Sequence, residues 1–200
     1  MLAGVVLAGG QSSRMGQDKS LLALPNSALT LLNNCQLLLS HLEQVEVWVS
    51  GVQHQNGIRD IYPNCGPLSG IHAVLNYLHK ARPDINEMLF VPVDMPALTV
   101  DELECLIIEG REKSVICSFE HHQFPIYIPK NEELLSYLDG HLSTNYRANS
   151  TIKNKQLSMR HILTLFSANQ IPVKNFSTLI NINTPQQWQA HYESLTIKGK

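Results

Sequence analysis

The sequence predicts a mostly parallel α/β sheet in a single domain, and three observations carry that prediction. Short apolar runs of strand length alternate along the chain with segments whose apolar residues recur at helical spacing. Two of the runs, Leu2–Ala8 and Met88–Val93, are apolar at nearly every position, as strands buried on both faces are. The chain has 200 residues, 44% of them hydrophobic and 16% charged, and a chain of this length buries roughly 70% of its unfolded surface without a disulfide or metal staple.

The elements follow in order. Leu2–Ala8 stops at Gly9-Gly10 and is the first predicted strand. Between Ala28 and Leu42, the residues Leu31, Cys35, Leu38, Leu39 and Leu42 draw a helical stripe. Val45–Val49 is a second strand and Ile58–Ile61 a short third. Leu68, Ile71, Val74, Leu75 and Leu78 share one face of a helix over 68–80. Met88–Val93 is the next strand and ends at Asp94. Thr99-Val-Asp-Glu102 fits a capping box, and Leu103, Leu106 and Ile107 continue its helix. Val115–Phe119 and Phe124–Ile128 lie close enough to predict a hairpin or a sheet edge. Glu132–Leu138 and Met159–Phe166 read as helices and Leu179–Ile182 as a final strand. Thr184-Pro185-Gln186-Gln187 then combines a capping box with proline at the first helical position. In an open parallel sheet, ligands bind beyond the carboxyl ends of the strands. The segments after Ala8 and Val93 therefore converge there.

Charge and cysteine usage narrow the function classes. Fifteen basic against 17 acidic residues leave a net charge of −2, without the basic excess of a nucleic-acid binder. Cys35, Cys65, Cys105 and Cys117 form no Cys-x-x-Cys pair, so reduced thiols are expected, most of them packed as small apolar residues. No apolar run reaches the ~18 residues of a membrane span, and Met1–Gly10 has no basic region before it. The expectation is a cytoplasmic protein with neither signal peptide nor anchor. His121-His122 would point to opposite faces of a strand and do not suggest a metal site. His72 and His79 read as packing or surface residues.

The most informative stretch is Leu7-Ala8-Gly9-Gly10-Gln11-Ser12-Ser13-Arg14-Met15-Gly16-Gln17-Asp18-Lys19. Its glycines let the backbone turn tightly and bring N–H groups close to a ligand. Arg14 adds a planar, forked cation and Lys19 a compact one, a mixture suited to a polyphosphate. Gly10 and Gly16 are spaced wrongly for an ATPase-type loop, and no Gly-x-Gly-x-x-Gly is present. Taken bare, the stretch is also consistent with a glycine-rich βα turn carrying two solvated cations. The string Leu-Ala-Gly-Gly-x-Ser-x-Arg-Met-Gly-x-Asp-Lys nevertheless resembles the signature of the MobA family, the molybdenum cofactor guanylyltransferases. Cytidylyltransferase relatives usually read Leu-Ala-Ala-Gly and lack the Asp before the Lys, so Gly9-Gly10 and Asp18-Lys19 favour the guanylyl branch.

Asp94 closes the apolar strand in Leu89-Phe90-Val91-Pro92-Val93-Asp94-Met95-Pro96 and has no basic neighbour in sequence. A buried carboxylate there is costly unless a cation compensates it, and Mg²⁺ takes one or two carboxylates plus phosphate oxygens. A bare turn toward Pro96 is the other reading. The resemblance matches Asp94 to the family's metal-binding Asp-x-Pro. It also matches Gly66-Pro67-Leu68-Ser69-Gly70 to the Gly-Pro-Leu-Ala-Gly loop lining the active site. Asp60 corresponds by position to an Asp that contacts GTP. Asn181 and Asn183 match the Asn-x-Asn-Thr-Pro motif of the molybdopterin side. Ser50 stands in place of a frequent Asn, Phe124-Pro125 in place of His-Pro, and Gly140-His141-Leu142-Ser143-Thr144 in place of Gly-x-Arg-Ser.

The resemblance implies a three-layer α/β/α, Rossmann-like nucleotidyltransferase fold. Residues 1–200 would form one domain, with a nucleotide half over about 1–110 and an acceptor-side half over about 111–200. It implies transfer of GMP from GTP to the molybdopterin-bound molybdenum cofactor, with Mg²⁺ as cofactor and pyrophosphate as second product. Arg14, Lys19 and Asp94 would be catalytic, and Asp94 the metal ligand. Leu7, Ala8, Gly9, Gly10, Lys19, Asp60 and Asp94 would bind GTP. Gly66, Pro67, Gly70, Asn181 and Asn183 would line the acceptor side. Transient contact with molybdoenzymes or their chaperones is the expected partnership, with no nucleic acid and no membrane. The alternatives are a related transferase using CTP or a sugar phosphate acceptor, and a non-catalytic GTP-binding accessory protein of molybdoenzyme maturation.

Overall fold

A computed structural model describes residues 1–9, 18–24, 27–51, 57–148 and 155–198. Six strands form one sheet in the order β2-β1-β3-β5-β4-β6. They are β1 (Leu2–Leu7), β2 (Val45–Ser50), β3 (Glu87–Pro92), β4 (Cys117–Phe119), β5 (Ile126–Pro129) and β6 (Asn169–Ile171). β1 runs parallel to β2 and β3, β4 runs parallel to β6, and only β5 is antiparallel to its neighbours. The helices are α1 (Leu31–Ser40), α2 (Pro67–Ala81), α3 (Val100–Lys113), α4 (Glu132–Arg147), α5 (Met159–Leu165) and α6 (Pro185–Lys198).

The central strands are apolar throughout because both faces are covered. Leu2, Val6, Leu89 and Val91 point into one core with Leu31, Cys35 and Leu39 of α1 and Leu103 and Leu106 of α3. The intervening Ala3, Val5, Met88 and Phe90 point into a second core with α2, α4 and α5. That alternation produces the three expected layers. Local chemistry sets the helix ends. Thr30 accepts from Asn33 N, Asn131 from Leu134 N and Ser158 from His161 N. The predicted capping box is present, with Thr99 N donating to Glu102 Oε2 at 3.1 Å. Pro92 is tolerated because Val93 N donates to Leu7 O on the β1 side. The missing N–H of Pro92 therefore faces the β5 side, where pairing has already ended at Phe90–Ile126.

Three expectations need correction. Ile58–Ile61 forms no strand; Ile58 makes an isolated bridge to Ser50. Leu179–Ile182 is not the last strand, because Phe176–Leu179 is a 3-10 turn and β6 lies upstream at Asn169–Ile171. Only three residues long and polar at two positions, β6 carries almost no periodic signal. His121 and His122 do not alternate on a strand. β4 ends at Phe119, His121 takes φ 64°, and both rings line one surface cavity of about 510 Å³ with Arg160 and Gln170. No group of three or more metal-ligating side chains occurs among the described residues. No helix among them is long and apolar enough to cross a membrane. All four cysteines are free thiols, with Cys35 and Cys117 buried.

Candidate active site

The carboxyl ends of β1, β2 and β3 share one edge of the sheet, and the candidate residues gather there. After β1 the chain crosses the end of β2, with Ala8 N donating to Ser50 O at 3.0 Å. At the crossing, Gly51 takes φ 142°, and a Cβ on it would lie 3.1 Å from Gly9 N. Only glycine permits both the conformation and the approach.

Residues 18–22 return the chain to the site. Asp18 Oδ1 accepts from Ser20 N at 2.9 Å and from Ser20 Oγ at 2.7 Å, capping a 3-10 turn over Lys19–Leu21. The buried Ser20 and Leu22 anchor this turn, and Lys19 is sent toward β3. Lys19 Nζ lies 3.2 Å from Asp94 Oδ2 and donates to Asn183 Oδ1 at 2.8 Å. The Lys19 and Asp94 side chains are 15% and 16% exposed. Asp94 Oδ1 is buried without a hydrogen-bond partner among the described residues. Beneath it, burial and then the Asp94 charge push the Cys35 thiol up to about 12, so it stays protonated and apolar in character.

The third member of this centre arrives from the far end of the chain. Ile182 N donates to Asp94 O at 2.8 Å, docking 181–183 against the end of β3. Gln187 Oε1 then accepts from Asn183 N at 2.7 Å and Thr184 N at 3.1 Å, while Gln187 N donates to Thr184 Oγ1. The predicted cap of α6 thus holds Asn183 in place. Gln187, predicted only as part of a helix cap, ties down the backbone at Asn183.

A second group lies on the β2 side. Gly70 is buried in α2, and a Cβ there would meet Ser50 Oγ at 2.8 Å and lie 3.7 Å from Asp60 Oδ1. Burial raises the Asp60 pKa against the lowering effect of Ser69. Gly66 and Pro67 form the exposed N-terminus of α2, with Gly66 at φ 79°. Among the predicted residues, Lys19, Asp94 and Asn183 meet at one centre, and Asp60 and Gly70 meet at another, beside Ser50. Leu7 supplies the carbonyl that receives Val93 N, Gly9 abuts Gly51, and Asn181 is exposed. Gly10 and Arg14 lie outside the described residues. The segment from Gly140 to Thr144 is part of α4 and forms no loop.

The three-layer α/β sheet sets Lys19, on the 3-10 turn that follows β1, against Asp94 just beyond the end of β3, and with the matches that follow this makes the chain a nucleotidyltransferase. More particularly, residues 4–159 match the model of the MobA-like NTP transferase domain, and the chain belongs to that family. It is 33% identical over 187 residues to a molybdenum cofactor guanylyltransferase of Xanthomonas euvesicatoria pv. vesicatoria, covering 92% of this chain and 91% of the relative. A second molybdenum cofactor guanylyltransferase, from Rhizobium johnstonii, is 29% identical, covering 92% and 88%. Among solved structures, molybdopterin-guanine dinucleotide biosynthesis protein A from Archaeoglobus fulgidus shares the fold with a TM-score of 0.69 at 19% identity, covering 97% and 98%. The 4-diphosphocytidyl-2C-methyl-D-erythritol synthase of Anaerococcus prevotii does so with a TM-score of 0.66 at 12% identity, covering 98% and 96%.

Proposed function

We propose that this chain transfers GMP from GTP to the molybdopterin-bound molybdenum cofactor, with residues 1–200 acting as one catalytic domain. The terminal phosphate oxygen of the acceptor bonds to the α-phosphorus of GTP as the bond to the β-phosphate breaks, and pyrophosphate leaves. The attacking oxygen is already ionised, so the task is to bring polyanions together and stabilise charge at phosphorus. The observation that carries this reading is the convergence of Lys19, Asp94 and Asn183 at the sheet edge.

In this role Lys19 turns from Asp94 to the triphosphate, and Asn183 keeps the ammonium aimed while it does so. Gly9 and Gly10 let the backbone approach the phosphates, and Arg14 adds a second cation. The unpartnered Asp94 Oδ1 suits a hard divalent cation, which needs few protein carboxylates when phosphates and water complete its shell. Held there, Mg²⁺ would neutralise charge across the phosphates. Asp60 is an acceptor-only carboxylate, complementary to the N1–H and N2–H donors of guanine; cytosine presents one such donor, on N4. The acceptor side is assigned to Gly66, Pro67 and Asn181, with Gly70, which lies beside Asp60, and Asn183 at the boundary between the two substrates. The four free cysteines favour a reducing cytoplasm, and hand-over of product to molybdoenzymes or their chaperones is a transient contact.

The test is pyrophosphate release with GTP or CTP, a divalent cation and molybdopterin cofactor, followed by mass spectrometry of the product. A guanine dinucleotide formed only with GTP is the expected result. CTP turnover would move the chain to the cytidylyl branch, and GTP binding without pyrophosphate release would make it an accessory protein.

A further inference from the structure

Tyr62 stands two residues after Asp60, in the segment that leads into α2, and both neighbouring helices grip it. Its hydroxyl donates to Asp139 Oδ1 of α4 at 3.0 Å. Its ring stacks on the His72 imidazole of α2, with centroids 5.4 Å apart and planes at 29°. The same ring lies 5.8 Å from that of Tyr146 on α4. Its carbonyl accepts from Ser69 Oγ. His72 is 1% exposed, and its Nε2 lies 3.3 Å from the same Asp139 Oδ1. Since Nδ1 is buried without a partner, the ring proton belongs on Nε2, and one carboxylate oxygen receives both imidazole and phenol. Asp139 and Tyr146 are two turns apart on one face of α4. From the adjoining position, Asn145 Nδ2 reaches Cys65 Sγ at 4.0 Å.

We infer that Tyr62 is a positioning residue: through Asp139 and His72 it fixes the segment 60–66, and so the orientation of Asp60. The inference rests on the reading of Asp60 as the contact to the guanine base. The segment has no regular secondary structure, and Asn64 and Gly66 both have positive φ. A carboxylate borne on such a segment keeps one orientation only if the backbone is tied down elsewhere, because each free residue otherwise keeps its conformational entropy. Tyr62 supplies that tie close to Asp60. It does so from α4, an element of the acceptor-side half, and this links the two halves of the domain across the α2–α4 contact.

The experiment compares Tyr62→Phe, Asp139→Ala, Asp139→Asn and Asp60→Asn. It measures kcat, KM for GTP, discrimination between GTP and inosine triphosphate, and amide hydrogen exchange over 60–66. Tyr62→Phe and Asp139→Ala are expected to raise KM for GTP about 5- to 10-fold, with kcat changed less than about twofold. Exchange at 60–66 should quicken in both; the melting temperature should hold in Tyr62→Phe, whereas Asp139→Ala, which leaves His72 Nε2 unpartnered, should lower it by a few degrees. Asp139→Asn keeps an acceptor oxygen and should restore most of the loss, which a merely structural role of the charge would not predict. Unchanged KM and unchanged exchange in Tyr62→Phe and Asp139→Ala, with KM raised in Asp60→Asn, would overturn the positioning role alone. Unchanged GTP discrimination in Asp60→Asn would overturn the base-contact reading, and the positioning role with it, even if Tyr62→Phe loosens the segment.

Discussion

Lys19→Met keeps the length and apolar volume of the side chain and removes only the ammonium. In the free protein it takes away the 3.2 Å pair with Asp94 and the 2.8 Å bond to Asn183. Asp94 Oδ1 is already without a partner, so the change leaves the carboxylate poorly satisfied. Breaking a fully buried pair costs about 3–5 kcal/mol. With 15% and 16% of the two side chains exposed, water recovers part of this. About 1–2 kcal/mol remains, which for a domain of this size lowers the melting temperature by about 2–8 °C. The kinetic loss is larger, because a donor aimed at developing phosphoryl charge is worth about 10²–10³-fold in kcat. The assay is pyrophosphate release at saturating GTP with acceptor and divalent cation, beside a thermal melt. A kcat within about threefold of wild type would refute the catalytic role. A melting temperature lowered far beyond that range would show instead that the pair is mainly structural.

The other predictions probe space and charge. Gly70→Ala places a Cβ 2.8 Å from Ser50 Oγ and 3.7 Å from Asp60 Oδ1; KM for GTP should rise about tenfold, with a smaller change in kcat, by steady-state kinetics. Gly110→Ala drives a methyl to 2.1 Å from the Tyr127 ring; overpacking of about 2–3 kcal/mol should appear in a denaturant melt, without a specific kinetic defect. For Glu87, burial would raise the pKa, but bonds from Arg111 and Tyr127 outweigh it and hold the carboxyl below its ordinary range. A depressed folded-state pKa stabilises the protein above the unfolded value, about 4.3, and that contribution disappears as pH falls through the folded value. Glu87→Gln should therefore cost about 1 kcal/mol at neutral pH, since Arg111 is half exposed, and the gap to wild type should close as pH falls below the unfolded value and through the lower folded one.

How much of this was legible in the sequence differs element by element. The central strands announce themselves through unbroken apolar runs, and α1, α2, α3 and α6 through stripes and caps, because those signals are local. α4 extends to Arg147, well beyond the predicted Leu138, because its later turns are mostly polar and only Leu142 among them is buried. β6 depends on pairing with β4, and nothing in Asn169–Ile171 itself demands extension. The same division runs through the site. Lys19 and Asp94 were readable because a glycine turn and a strand end have sequence signatures. The hold of Gln187 on Asn183 is local and partly legible through the capping box at Thr184–Gln187, whereas the Tyr62–His72–Asp139 arrangement joins residues distant in sequence and leaves no local trace.

What the sequence determined alone was the layered α/β architecture and the candidates at its strand ends, since periodicity and turn chemistry depend on neighbours in the chain. Only the tertiary structure decided which candidates meet. Asn183 was a candidate from its motif, and only the fold brings it to Lys19, 164 residues away. That contact exists because β3, the turn at Asp18 and the cap of α6 converge at one edge of the sheet, a placement set by packing across the whole core.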